Sequence, residues 1–449
     1  MIVSFISGFV KMIFQMRICV YGNLANNAYN VTKFLRKMGY NAEVGLDPDD
    51  RFPMSQPIWE DLDFEMSVAQ FSDKSVDYWL SLEKEKGYTR PNWVRYIGKP
   101  SLSVARLVKL NIIIAFSHPS RTLKAVFRSP RGLHDLIYGF LQMTKVISLS
   151  EYDFVIGFGL APSIAYLSEI RYVSIPYGAD LTVVPFQTDH SKWALRARAR
   201  LQRVAYQNSD AIFLYNDPTL PELLKKLGIT KWHNFNMPID MKKYRPLQNQ
   251  KLEELIDPKI AEKTKNKIVM LMPSRLDFEV KGSDKALRAF ARLIKMRRDV
   301  FLVMMEWGAD LGKAKKMISE LGITDYVYFH PYVVSKPRLV RLINAVDIIL
   351  DQFGPAGMYG TTTIETLSCG KPLIINIDWQ KMQSYFDSKP PVMYARTEDE
   401  ILDAMSALCN SEYREEIGKK QREWVISNHS AEKNLSKIIE IMKSGKNAN

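Results

Sequence analysis

Short apolar runs alternate with amphipathic stretches of helical period in two successive series, and this alternation restricts the fold more than any other feature of the chain. Residues 17–21 read as a buried strand that ends at Gly22-Asn23, residues 28–38 as a helix that closes on Gly39, and residues 41–44 as a second strand. Runs at 155–158, 172–175 and 211–214 continue the first series. A second begins at Lys267, with strand-like runs at 268–272, 300–305, 327–329, 347–350 and 372–375 and helical stretches at 285–296, 312–321, 336–344 and 361–368. Strands that alternate with helices build parallel sheets. Two such series in 449 residues predict two α/β domains. The expected division is an apolar N-terminal segment over 1–15, a first Rossmann-like domain over 16–246, a second over 247–425, and a C-terminal helix and tail over 426–449. Residues 47–98, polar and rich in Pro, Trp and acids, read as a variable insertion. Ligands of such sheets bind beyond the carboxyl ends of the strands.

Charge and cysteine usage narrow the setting. The net charge is +13, and much of it lies in two runs without acids: Arg95, Lys99, Arg106, Lys109, Arg121, Lys124, Arg128 and Arg131, then Lys192, Arg196, Arg198, Arg200 and Arg203. Interleaved apolar residues fit either an anionic membrane surface or a solvated basic face. Nucleic acid is not expected, since no RNP-type aromatic motif, zinc finger or helix-turn-helix accompanies the charge. The three cysteines lack metal or disulfide spacing, which points to a reducing, cytoplasmic setting. Residues 1–15 fall short of the roughly 20 apolar residues a membrane span needs, and read as a short anchor or a start upstream of Met16.

Chemistry concentrates in the second series. Arg275 follows a strand end, and Lys281-Gly282 comes next on the same loop, two cations suited to a diphosphate. The loop from Asp351 to Gly360 carries three glycines, which let backbone N–H groups approach a ligand, and leads into Thr361 at a helix start, which favours phosphate. Glu365, one helical turn in, suits paired hydroxyls such as those of a ribose. Asp47-Pro48-Asp49 imitates a metal-binding pair but reads as a solvated turn, and no cluster has metal-ligand spacing. His118, after an apolar run, and Gly159, at a strand end, are candidates for a second, acceptor-side surface.

These motifs resemble the donor domain of GT-B glycosyltransferases, family 4 in particular. Arg275 with Lys281-Gly282, Glu306-Trp307-Gly308, Ala345-Val346-Asp347, Gly357 to Glu365 and Cys369-Gly370-Lys371-Pro372 stand where that family has its corresponding motifs. In the first half, Asp153 to Gly157, Tyr177-Gly178-Ala179-Asp180 and Asn236-Met237-Pro238-Ile239-Asp240 are similar to it as well, and so is the terminal helix near Trp424 to His429. The resemblance implies two Rossmann-like domains facing across a cleft, with the C-terminal helix crossing back to the first. It implies a retaining, metal-independent transfer of sugar from a nucleotide-diphosphate-sugar to a glycan or lipid-linked glycan, without a resident cofactor, in the cytoplasm or peripherally on its membrane face. Arg275, Lys281 and Glu365 are then the catalytic set. Gly22, Gly308, Gly357, Met358, Tyr359, Gly360 and Thr361 would line the donor, and His118, Gly159, Tyr177 and Asp180 the acceptor side. Two departures stand out: Gly357 occupies the position of the family's first loop glutamate, and Tyr177 that of a histidine. They leave open an inert binding protein of this shape, or a nucleotide-sugar epimerase of the same fold.

Overall fold

In a parallel sheet covered on both faces, central strands are apolar throughout, and Ile18–Tyr21 is buried along its whole length. The computed structural model describes residues 16–48, 52–71, 74–98, 142–187, 193–215, 217–358 and 360–445. His118, Tyr359, the segment 1–15, Lys192 and most of the first basic run lie outside them. The strands in chain order are β1 (Ile18–Tyr21), β2 (Ala42–Leu46), β3 (Glu65–Ser67), β4 (Val94–Tyr96), β5 (Phe154–Phe158), β6 (Arg171–Ile175), β7 (Ala211–Leu214), β8 (His233–Asn234), β9 (Ile268–Met272), β10 (Val300–Met305), β11 (Val327–His330), β12 (Tyr332–Val334), β13 (Ile348–Leu350), β14 (Leu373–Ile375) and β15 (Met393–Tyr394).

The chain divides into two units. Described residues of 1–58, 73–238 and 434–449 form the first, and those of 59–72 and 239–433 the second. The first contains a seven-stranded parallel sheet in the order β4-β2-β1-β5-β6-β7-β8. The chain moves outward one way from β1 and the other way from β5, so the order reverses between these two strands. Tyr21 pairs with Gly157 there, at their carboxyl ends. The second unit holds a six-stranded parallel sheet, β11-β10-β9-β13-β14-β15, which reverses between β9 and β13. Each reversal opens a crevice for a ligand, and the second lies between the loops that follow Met272 and Leu350.

Helix Ser283–Met296 shows how the sequence sets the packing. Ala286, Leu287, Phe290, Leu293 and Ile294 recur at helical spacing and are buried against Leu302, Met304 and Leu350. Each large side chain of that stripe contributes about 1.5–3 kcal/mol by leaving water.

The stretch 47–98, read from the sequence as an insertion, supplies strands to both units. β4 closes the first sheet with Val94 beside Val44, whereas β3 belongs to the second unit and pairs antiparallel with β12, Met66 opposite Val333. Ser335 seals that junction, its N–H donating to the Phe64 carbonyl and its Oγ accepting from the Phe64 N–H, both at 3.0 Å. At the other end, helix Ala431–Lys443 carries the chain into the first unit, burying Leu435, Ile438 and Met442. Arg171 donates to the carbonyls of Ile441 (2.8 Å) and Met442 (3.3 Å), a basic finish to a helix C-terminus.

Candidate functional site

The crevice of the second unit is built by loops locked backbone to backbone. Gly308 has φ +127°, and a Cβ there would lie 2.2 Å from the Leu276 carbonyl oxygen. A Cβ on Gly354 would lie 2.0 Å from the Val280 carbonyl oxygen, so the 275–282 loop closes on Gly308 and on the 352–354 loop only because both positions lack side chains. The Phe353 N–H donates to the Lys281 carbonyl at 2.6 Å, and Leu276 N–H to Trp307 at 2.9 Å. The two strand ends are joined by Asp351, whose buried carboxylate accepts from Ser274 Oγ (2.6 Å) and Thr363 Oγ1 (3.0 Å).

Both expected cations stand on this frame. Lys281 is half-buried, and burial holds its ammonium below the ordinary lysine range against the opposing pull of Asp351. Arg275 is exposed, 3.5 Å from Asp277. Beyond them Gly357 takes φ +61° with its carbonyl accepting from Asp378 N–H at 2.8 Å. Met358 is half-buried beside it. Gly360 precedes helix Thr361–Ser368, its N–H donating to Thr363 Oγ1 at 3.3 Å.

Glu365 is only 1% exposed, buried inside the unit. One oxygen, Oε1, meets Lys336 Nζ at 2.6 Å, and the other, Oε2, is closed off from solvent near the Tyr244 hydroxyl with no close hydrogen-bond partner among the described residues. Tyr244 lies between Glu365 and Glu60, donating to Glu60 Oε1 at 3.2 Å. Burial, then the two carboxylates, push its phenol well above the ordinary tyrosine range. Lys243 also pairs with Glu60. Lys336, Tyr244 and Glu60 carry no local signal in the sequence, because distant chain segments bring them to the helix of Glu365.

The remaining expected residues fall in the first unit. Gly22, expected with the donor set, has φ +95° and borders a pocket at the reversal of the first sheet, where a Cβ would lie 2.4 Å from the Phe158 carbonyl oxygen. Tyr177 stacks on Phe158, 5.1 Å between ring centres, and donates to the Leu24 carbonyl at 3.4 Å. Gly159 adjoins this stack, and its carbonyl accepts from Gln202 at 2.9 Å. Asp180 staples the turn, accepting from the N–H groups of Gly178 (2.9 Å) and Tyr177 (3.1 Å) and from the Tyr206 hydroxyl (2.7 Å). Burial raises its carboxyl above the ordinary range despite those bonds. Asp47 is no solvated turn: it pairs with Lys145 at 2.7 Å and accepts from the Tyr21 hydroxyl at 3.2 Å. Asp49 lies outside the described residues.

Among the described residues, no three His, Cys, Asp or Glu side chains gather as a metal site requires, and no helix is long and apolar enough to cross a membrane. Burial pushes the Cys369 thiol up to about 12.

Residues 254–424 match the family described as glycosyl transferases group 1. No curated protein matches the sequence. Among solved structures, the chain is similar to HepE of Anabaena in complex with UDP-glucose, with a TM-score of 0.58 and 13% identity over 96% of this chain and 100% of that one. A glycosyltransferase of Rickettsia africae gives a TM-score of 0.59 and 15% identity over 96% and 99%. Mutant TarM of S. aureus, in complex with fondaparinux, alpha-GlcNAc-glycerol and UDP, gives 0.57 and 10% over 96% and 100%. At such identities the likeness is one of fold, and that fold is GT-B, with two Rossmann-like units.

Proposed function

We propose that this chain, whose residues 254–424 match the family described as glycosyl transferases group 1, moves a sugar from a nucleoside-diphosphate-sugar to a hydroxyl acceptor with retention of anomeric configuration. The observation that carries this reading is the frame at the β9–β13 reversal. It fixes Lys281 and Arg275 on a loop interlocked with the glycine loop and, through Asp351 and Thr363, with the start of helix Thr361–Ser368. The two cations take the diphosphate, and backbone amides from Gly357 to Thr361 take the sugar and its phosphate. Glu365, its carboxylate held by Lys336, takes a ribose hydroxyl in this reading, which requires the side chains that cover it to move aside when the nucleotide binds.

In the reaction, the bond between C1 and the diphosphate oxygen breaks as a bond from C1 to the acceptor oxygen forms on the same face. The acceptor hydroxyl loses its proton to the departing diphosphate. Arg275 and Lys281 supply the charge that stabilises the leaving group, so the chemistry calls for neither a protein nucleophile nor a metal.

A thermal-shift screen against UDP, GDP, ADP and their common sugars tests the donor site. One nucleotide is expected to stabilise the protein saturably. Glu365→Gln should keep the fold and weaken that nucleotide about tenfold, the worth of a hydrogen bond to a charged group, while binding of its 2′,3′-dideoxy form stays unchanged. No stabilisation by any nucleotide would return the chain to an inert binding protein. The acceptor, a glycan or lipid-linked glycan, is held by the first unit in this reading, and the two basic runs of the sequence support a peripheral position on an anionic membrane face. Retention on anionic but not neutral vesicles at physiological salt is expected, and equal retention on both would remove the membrane from the account.

A further inference from the structure

The first-unit pocket lies at the sheet reversal and encloses about 230 Å³. A volume of that size holds on the order of seven waters, hence a single sugar ring or a phosphoryl group with its attachments. Tyr21, Asn23, Asp47, Lys145, Phe158 and Arg198 are among its lining residues. Most of the polar lining is already satisfied. Asn23 Nδ2 donates to Asn26 and to the Ser55 carbonyl, and its Oδ1 accepts from Tyr29 N–H. Ser163 donates to Gln202. The charge of Lys145 is matched by Asp47 at 2.7 Å.

Arg198 stands apart. It projects from helix Trp193–Gln207, and its Nε is shut off from solvent without meeting an acceptor. Among the described residues no carboxylate pairs with it, so the pocket keeps one uncompensated positive charge. An arginine that lines the pocket without a carboxylate partner offers its guanidinium fork to the two oxygens of a carboxylate or phosphate. The larger hollow of the same unit, about 390 Å³ over Val146, Tyr152 and Arg171, differs in this respect. Its arginine is neutralised by Asp210 at 2.9 Å.

We propose that this pocket binds an anionic group of the acceptor, a phosphate or a carboxylate on a sugar, and that Arg198 recognises it. Only the word acceptor rests on the glycosyltransferase reading; the anion site stands on the pocket. Gly22 lets the backbone close on Phe158, whose buried ring stacks on Tyr177 and fixes this side of the pocket.

Binding of glucose 6-phosphate, glucuronate and methyl glucoside to the full chain would be measured by calorimetry, with Arg198→Met and Arg200→Met as variants and the stabilising nucleotide as a parallel ligand. One of the two anionic sugars is expected to bind at least about tenfold more tightly than the neutral one, with affinity that falls as salt rises. Which of them binds identifies the group. Arg198→Met should weaken it about tenfold to a hundredfold, Arg200→Met should leave it intact, and nucleotide binding should be unchanged in both, which also reports that each variant folds. Equal binding of neutral and anionic sugars, absence of binding by all three, or full anion binding by a folded Arg198→Met would overturn the proposal. Failure of the nucleotide arm alone would instead count against the donor reading. Should Arg198→Met not fold, the salt dependence and the neutral-sugar comparison decide on the unmodified protein.

Discussion

Lys281→Met is expected to lower turnover about a hundredfold to a thousandfold and to weaken nucleoside-diphosphate binding about tenfold to a hundredfold. The effect is large because the ammonium is half-buried and held on a rigid loop, where it needs no reorganisation to meet negative charge. Arg275, exposed and 3.5 Å from Asp277, works closer to bulk water, and Arg275→Ala should cost less than Lys281→Met in the same assay. The substitution leaves the frame intact, since the loop is held by the Lys281 carbonyl rather than its side chain. Asp351 likewise keeps its bonds from Ser274 and Thr363. The melting temperature should therefore move little. The alkaline limb gives a second readout. Burial lowers the proton affinity of Lys281, and a diphosphate binds the charged form, so affinity should fall as the pH rises through a value below that of an ordinary lysine. In Lys281→Met that limb should vanish. Calorimetric titration across pH measures both, and a variant that binds and turns over like the parent would remove Lys281 from the site.

The loop of Lys281 was legible in the sequence because parallel strands buried on both faces are unbroken apolar runs, and the polar residues directly after them mark the ligand side of the sheet. β9 and β10 fall on the expected residues for the same reason. β3 could not be read this way: Glu65-Met66-Ser67 has one apolar residue, and its partner strand lies at 332–334. Glu365 was legible as a candidate but not as a buried group. Its helix is short, and Thr363 to Ser368 are all buried, so no polar face distinguishes it from a surface helix until the tertiary fold encloses it. Lys336, Tyr244 and Arg198 were hidden by the same physics, since each owes its role to a segment remote in the chain. Arg198 was one of five cations in a basic run, and only the pocket singles it out. Among its neighbours Arg200 points outward.

Gly357 is a departure that the sequence displays without its cause, and the structure makes it testable. Gly357→Glu, which restores the family's loop glutamate, is expected to lower stability and abolish donor binding rather than improve turnover. At φ +61° an L side chain costs about 1–2 kcal/mol. A Cβ there would lie 2.7 Å from Asp378 Cβ and 2.9 Å from its nitrogen, so the Asp378 N–H bond to the Gly357 carbonyl would have to stretch. Overpacking adds about 1–3 kcal/mol. The new carboxylate would also lie beside Asp378, which caps helix Trp379–Met382 and pairs with Lys381 at 3.0 Å. The sum, on the order of 2–5 kcal/mol, corresponds to a fall of about 10 °C in melting temperature for a unit of this size. Gly357→Ala separates backbone strain and crowding from charge, and should show most of the thermal loss without the like-charge term. A Gly357→Glu protein that melts like the parent and turns over faster would mean that Asp378 yields, and that this loop accepts a carboxylate after all.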